Sequence, residues 1–428
     1  MKNVLIISQY FAPKNSVAAI RFTKVVKYLA RTKKYHFYVV CYDCSEDHLI
    51  DNILKRDIEE VEQYVTILPV KERGKIRVTS DKGSLKINDG STKVKSEKTY
   101  LNFLYELNDI ITECMFVYRG RKILKKYKKI EIDVMISTYG HVGAHLLGLN
   151  CLKKHQSTRW IADYRDPIRW KTIVGKLFEI IICKKTDRKA AYVTGASTSY
   201  LGSNQFPGKF KVIYNGFDEE DVLGIGQRGT KNASRKKFTI CYTGRIYPGR
   251  QDMSILFKVI RDLAKENAIE LNDIRVLYAG EQFAELYKQA VSCEMDEILV
   301  NCGILPREEA LILQKRADIL CLMVWNNCDD KDIVCAKMLE YFMMNKPIIA
   351  IVSGNAKNSF TRRILEDANA GCVYEEADGI NTYLVLKQWL YNKYCEYKSD
   401  EGIICNINRE IVEQFTSKRM AQRFESLI

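Results

Sequence analysis

Two short segments of this chain carry the residue types that handle phosphate. Gly244-Arg245-Ile246-Tyr247-Pro248-Gly249-Arg250 follows an apolar run, Thr239–Thr243, and precedes a helical pattern over Asp252–Glu266. A glycine-bearing turn that opens a helix offers unpaired N–H groups and the positive end of the helix dipole. Arg245 and Arg250 add forked, charge-assisted donors. The spelling approaches a Walker A loop, but Arg250 stands where that loop needs lysine and Gln251 where it needs a magnesium-binding hydroxyl. Nucleotide hydrolysis on this loop is therefore excluded. What remains is a diphosphate cradle, against the alternative of two surface arginines. A second glycine pattern, Gly224-Ile225-Gly226-Gln227-Arg228-Gly229, has the letters of a dinucleotide loop but neither a strand before it nor a helix after it.

The carboxylates form two groups. Lys337 and Glu340 are three apart on one helix face, and Asp332 lies eight residues before Glu340. A carboxylate within an apolar helix needs partners; a plain i,i+3 salt bridge meets that need as well as a ligand would. In Asp163-Tyr164-Arg165-Asp166-Pro167, two acids and an arginine follow a strand, at the sheet edge where open α/β folds bind ligands. Loop charges and a helix cap by Asp166 are the alternative. His141 and His145 lack the glutamate of a zinc-protease helix, with Val142 in its place. Cys41 and Cys44 have no second ligand pair, so no metal site is expected. The 14 scattered cysteines suit a reducing cytosol.

These groups must be positioned by a βα alternation. Strand patterns at Val4–Ser8, Phe37–Cys41, Val65–Leu68, Asp133–Ser137, Trp160–Asp163, Tyr192–Ala196 and Lys211–Tyr214 are spaced by helical patterns, and the alternation restarts at Thr239. Continuous Val/Ile runs indicate parallel sheets covered on both faces. A polar, glycine-rich stretch after Asn215-Gly216 divides the halves. The expected organisation is an N-terminal Rossmann-like domain (1–217), a linker (218–237), a second Rossmann-like domain (238–407) and a closing helix (408–428). The basic stretch Lys71–Tyr100 reads as a surface loop.

With 428 residues, 46% of them apolar and 28% charged, the chain can build such cores. A net charge of +14 suits nucleic acid, an anionic membrane or a phosphorylated substrate. The basic run Arg119–Lys129 sits in no recognised nucleic-acid module, so nucleic acid is not an expected partner. It reads as a solvated helix face or a contact for phospholipid headgroups. No apolar run reaches the roughly 18 residues of a membrane span, and Val4–Ile7 is too short for a signal-peptide core. A cytoplasmic protein, soluble or peripheral at the inner membrane face, is expected.

Read together, these blocks resemble the glycosyltransferase family 4 enzymes of GT-B fold, of the bacterial surface-polysaccharide type. The resemblance rests on Ile6-Ile7-Ser8-Gln9-Tyr10-Phe11-Ala12-Pro13, Trp160 to Pro167, Val212 to Asp218, Tyr242-Thr243-Gly244-Arg245, Gly303 to Glu308 and Lys337-Met338-Leu339-Glu340-Tyr341. It implies an α/β protein with two Rossmann-like domains facing across a cleft and a C-terminal helix crossing back to the first. It also implies retaining transfer of a sugar from a UDP- or GDP-sugar to a glycan or polyprenyl-diphosphate-linked acceptor, with no cofactor or metal required. Gly244, Arg245 and Arg250 would hold the diphosphate, Lys337 and Glu340 the ribose side, and the loop at Ile304 the base. Asp332 would meet the sugar, with Asp163 and Asp166 as further acids of the cleft. The acceptor would lie near Ser16 and Arg165. The chain departs from the family where glycines are usual, reading Ser16-Val17-Ala18-Ala19, and in having Asp332 for glutamate. A nucleotide-sugar epimerase of the same fold and a non-catalytic nucleotide-sugar-binding subunit are the competing readings.

Overall fold

The Val/Ile-rich runs assemble into two separate parallel sheets. The computed structural model describes residues 1–45, 50–72, 92–140, 142–153, 158–165, 170, 172–198, 206–223, 237–327, 334–399 and 401–428. The first sheet contains β1 (Lys2–Ile7), β2 (Tyr35–Tyr42), β3 (Val65–Val70), β4 (Val134–Tyr139), β5 (Arg159–Tyr164), β6 (Tyr192–Gly195) and β7 (Phe210–Val212), in the order β3-β2-β1-β4-β5-β6-β7. The second contains β8 (Phe238–Thr243), β9 (Ile274–Ala279), β10 (Leu299–Asn301), β11 (Ile319–Trp325), β12 (Ile348–Ser353) and β13 (Gly371–Glu375), in the order β10-β9-β8-β11-β12-β13. Every residue of β4 and of β8 is buried. Both faces of these strands are covered, which is why the runs are continuous and not alternating.

Helices α1 (Val17–Ala30), α2 (Asn52–Glu59), α3 (Thr92–Lys126), α4 (Val142–Leu152) and α5 (Ile173–Lys189) belong to the first half. Helices α6 (Ser254–Lys265), α7 (Phe283–Ser292), α8 (Arg307–Arg316), α9 (Ala336–Met344), α10 (Phe360–Asp367) and α11 (Ile380–Lys398) belong to the second. Each sheet separates two apolar cores. On the first sheet, α1 packs on one face and α3, α4 and α5 on the other. On the second, α6, α7 and α11 share one face and α8, α9 and α10 the other.

Two expectations change. Thr92–Tyr100 is helical, as the start of the 35-residue α3, and not loop. Between Thr92 and Arg119 the sequence holds neither glycine nor proline, and its Lys, Glu and Leu content favours helix. Residues 73–91 of that basic stretch lie outside the described residues. The closing helix is also split, into α12 (Arg409–Glu413) and α13 (Ser417–Glu425). The break is where the chain crosses between the halves. Phe217 N donates to Phe415 O at 2.9 Å, and Ser417 N donates to Phe217 O at 2.6 Å, which holds Thr416 extended. Thr416 then caps α13 by accepting from Arg419 N. Gly216 lies so close to this second crossing that a Cβ on it would sit 2.7 Å from Ser417 Cα. Beyond it α13 returns to the first half, where Phe424 packs 5.3 Å from Phe22 of α1 and Met420, Leu427 and Ile428 join the same core.

Candidate active site

Each sheet reverses its winding once, between β1 and β4 and between β8 and β11. Loops leaving such neighbours diverge to opposite faces and open a crevice at the C-terminal ends of the strands. In the second sheet that crevice is a pocket of about 330 Å³, lined by Gly244 and Arg245 after β8, Trp325 at the end of β11, and Ala336 and Lys337 at the start of α9. Gly244 has φ +130°, and a Cβ there would meet Lys337 Cε at 3.3 Å, so this glycine lets the lysine reach the strand end.

The cationic groups converge from three elements. Arg245 is exposed, with its guanidinium 5.7 Å over the Tyr247 ring; Arg250 lies 5.4 Å over Trp325, at the rim. Neither pairs with a carboxylate among the described residues. The helix dipole comes from a different helix than expected. α6 begins only at Ser254, and Asp252 already accepts from its first amide at 2.8 Å. α9 begins in the pocket wall, where Cys335, Ala336 and Lys337 line the cavity; the Cys335 thiol meets the Lys337 and Met338 amides, and the positive end of the helix dipole lies there.

Glu340 sits one turn into α9. It accepts from Lys337 Nζ at 2.9 Å and from Gln314 of α8. Thr243 Oγ1 accepts from Gln314 at 2.6 Å and Lys337 at 3.3 Å. Burial pushes the Glu340 carboxyl up, but Lys337, Gln314 and Arg307 outweigh it and hold it below the ordinary range. The i,i+3 salt bridge is present, and it holds Glu340 ionised at a cavity wall. Glu340 and Lys337 line a second pocket of about 120 Å³ with Arg307, Val17, Ile20 and Arg21. The first turn of α1 thus faces α9 across the gap between the halves.

On the first half, Ser16 caps α1, accepting from Ala18 N at 3.2 Å. Arg165 donates to Ala18 O and lies over Gly140, where a Cβ would be 1.8 Å from its Nη2. Asp163 is fully buried. Its oxygens take both forks of Arg21, at 2.8 and 3.1 Å, and the hydroxyls of Thr138 and Thr194. This geometry corrects the expectation of a cleft acid: Asp163 has no oxygen left for a substrate and positions Arg21. Arg21 in turn binds Asn215 Oδ1 and Ile213 O, at the first crossing. Ile304 is exposed, next to Gly303 with φ +72°, and lines neither pocket. Asp166, Asp332 and His141 lie outside the described residues. His145 is buried beside Ser137 at 2.7 Å, and burial lowers it to about 3, a neutral core residue.

Sequence reasoning missed Arg21, Thr243, Gln314 and Arg307. Arg307, Leu311 and Gln314 do share a face by helical spacing, and that was the available signal. It also missed Glu113 on α3, beside the β1–β4 switch. Glu113 accepts from Gln9 Nε2 at 2.9 Å and from Gly143 N at 2.7 Å; burial raises it to about 7. A further group lies in the expected linker. Asp218 accepts from Lys24 and Lys27, each at 2.8 Å, and Arg307 reaches Asp221 at 2.7 Å and Asp51 at 3.3 Å. Asp57, Asp218 and Asp221 are close enough to share a cation, but Lys24 Nζ already binds all three.

No protein family matches the sequence, and no curated protein matches it. Solved structures do. Sucrose-phosphate synthase from Thermosynechococcus elongatus aligns with a TM-score of 0.61 at 11% identity, over 100% of this chain and 98% of that one. The lipopolysaccharide outer core galactosyltransferase WaaB aligns with a TM-score of 0.54 at 12% identity, over 100% and 99%. A putative UDP-N-acetylglucosamine 2-epimerase from Listeria monocytogenes aligns with a TM-score of 0.51 at 11% identity, over 100% and 95%. Similarity at this identity concerns the fold. The chain is an α/β protein of GT-B fold, with two parallel-sheet units and a C-terminal helix that crosses back. Among the described residues no helix is long and apolar enough to cross a membrane.

Proposed function

We propose that the chain is a nucleotide-sugar-dependent glycosyltransferase. The observation that carries this reading is the pocket at the β8–β11 switch. Arg245, Lys337 and the N-terminal end of α9 converge there on one volume, with an ionised Glu340 paired to Lys337. Three kinds of preorganised positive group suit a diphosphate, and they suit it best as it departs with growing charge. In this reading Arg245, with Gly244 leaving room and Arg250 at the rim, holds the diphosphate of a UDP- or GDP-sugar. Glu340 takes the ribose hydroxyls, and the backbone around Ile304 meets the base. Asp332 contacts the sugar and Asp166 serves the acceptor side. The acceptor, a glycan or a polyprenyl-diphosphate-linked one, enters against Ser16, Arg165 and the first turn of α1. Transfer proceeds with retention and without a cofactor, in cell-envelope polysaccharide synthesis at the cytoplasmic membrane face.

The test is a thermal-shift series with UDP, GDP, ADP, CMP and NAD. A nucleotide at about 100 times its dissociation constant stabilises the fold by about 2.7 kcal/mol, a shift of a few degrees. A selective shift with UDP or GDP that Glu340→Ala abolishes is expected. No shift with any nucleoside diphosphate would sink the donor site. Conversion of a UDP-sugar with no acceptor present would replace transfer by epimerisation.

A further inference from the structure

The outer face of α5 has no partner among the described residues. Its inward side is formed by Gly175, Glu179, Ile182 and Thr186. On the opposite side Ile173, Val174, Leu177 and Ile181 are exposed, Ile173 to 78%. Monomeric soluble proteins seldom leave such a stripe open without a use. The stripe continues onto α3. Glu106 of α3 accepts from Thr172 N at 3.0 Å and from the Thr172 hydroxyl, which ties α3 to the start of α5. One residue and five residues further along α3, Leu107 and Ile111 are exposed as well.

The exposed charges of α5 itself have one sign, while on α3 the exposed Asp109 stands between Leu107 and Ile111. The exposed charged residues of α5 are Lys176, Lys184, Lys185, Arg188 and Lys189, and no carboxylate pairs with them among the described residues. The acids of α5 are turned away: Glu179 is buried and Asp187 accepts from the Tyr164 hydroxyl at 2.8 Å. On α5, exposed aliphatic side chains flanked by cations are what a helix lying in an anionic lipid interface requires. A nucleic acid would gain nothing from the aliphatic stripe, and a second copy of this chain would bring cation against cation.

We propose that the exposed face of α5 docks on an anionic lipid surface. α5 follows the C-terminal end of β5, so docking brings the Arg165 side of the cleft to the membrane. That consequence rests on the transferase reading; the docking itself does not.

The experiment is cosedimentation of the full chain at low salt with phosphatidylcholine vesicles, with and without phosphatidylglycerol. Binding to the phosphatidylglycerol vesicles is expected. Ile173→Glu with Leu177→Glu should weaken it by about tenfold or more, and so should Lys184→Glu with Lys185→Glu. Leu177→Ser keeps the charge and should weaken it too, which serves where the double variant does not fold. Indifference of the wild type to phosphatidylglycerol overturns the proposal. So does binding that Leu177→Ser and the double variants retain, which moves the contact to the basic end of α3. Light scattering that shows a dimer split by Leu177→Glu assigns the face to a second copy and also overturns it. The UDP and GDP shifts, measured on the same variants, separate loss of docking from loss of the donor site.

Discussion

At the residue scale, Arg245 and Glu340 line two pockets that share Lys337, and the roles proposed for them can be measured. Arg245 is the exposed, uncommitted cation, so its contribution should go to the diphosphate alone. Arg245→Ala should weaken UDP or GDP by about tenfold, the scale of one charged hydrogen bond, and leave the matching nucleoside unchanged. Equal losses for nucleotide and nucleoside, read by calorimetry, would place Arg245 elsewhere. Glu113 gives a prediction of the opposite kind, on stability. Burial raises its carboxyl from the usual 4.5 to about 7 in the folded chain. A raised folded value means stability that is complete below about 4.5 and lost as pH climbs through 7. Glu113→Gln does not titrate, so its stability relative to the wild type should rise across that window, by roughly 3 kcal/mol in total. A difference in urea midpoint that stays flat from pH 4 to 8 would refute the shift. Sequence order showed Arg245, Lys337 and Glu340 because each stands in a short pattern beside a strand or on a helix face. Asp163 was misjudged for the same reason: a strand end predicts an edge position, but not the arginine from α1 that fills it.

At the element scale, the strands were legible because both faces of each sheet are covered, which leaves unbroken apolar runs. Helix starts were less so. The turn after β8 looked like the mouth of α6, yet Pro248-Gly249 and Asp252 delay that helix to Ser254, and the helix N-terminus in the pocket wall belongs to α9, distant in sequence. The split between α12 and α13 was invisible because its cause is a contact with Phe217, about two hundred residues earlier. Gly216 reports on that contact. Its neighbours at 2.7 Å are the Cα and N of Ser417, which are backbone and cannot rotate away. Gly216→Ala should therefore cost about 1–3 kcal/mol, the range of overpacking in a close contact, and lower the melting midpoint by several degrees. A melting midpoint equal to that of the wild type would mean that the two crossings are looser than this geometry.

At the scale of the molecule, the two halves meet through charge as well as through α13. The polar stretch after Asn215 read as a linker, and 224–236 lies outside the described residues, but its first residues are locked. Asp218 binds Lys24, Lys27 and the Tyr28 hydroxyl of α1, and Asp221 binds Arg307 of α8, which also reaches Asp51 at the start of α2. Composition sees acids and lysines as solvated; only the fold brings them together out of water, where losing one partner is costly. Burial pushes the Asp218 carboxyl up, but Lys24 and Lys27 pull it well below the usual range, and Arg31 and Lys27 hold Glu220 at about 2. A depressed folded value means stability that is present above about 4 and lost as pH falls below it. Asp218→Asn lacks the charge at every pH, so it should destabilise the chain by roughly 3–5 kcal/mol near neutrality. That deficit should shrink steadily as the wild type is taken from pH 5 toward pH 2.5, because the unfolded wild type there takes up a proton that the folded Asp218 still refuses. Urea midpoints of the two proteins, measured side by side over that range, decide the matter: converging curves support an ionic lock between the halves, and parallel curves would show that Asp218 acts through its packing alone.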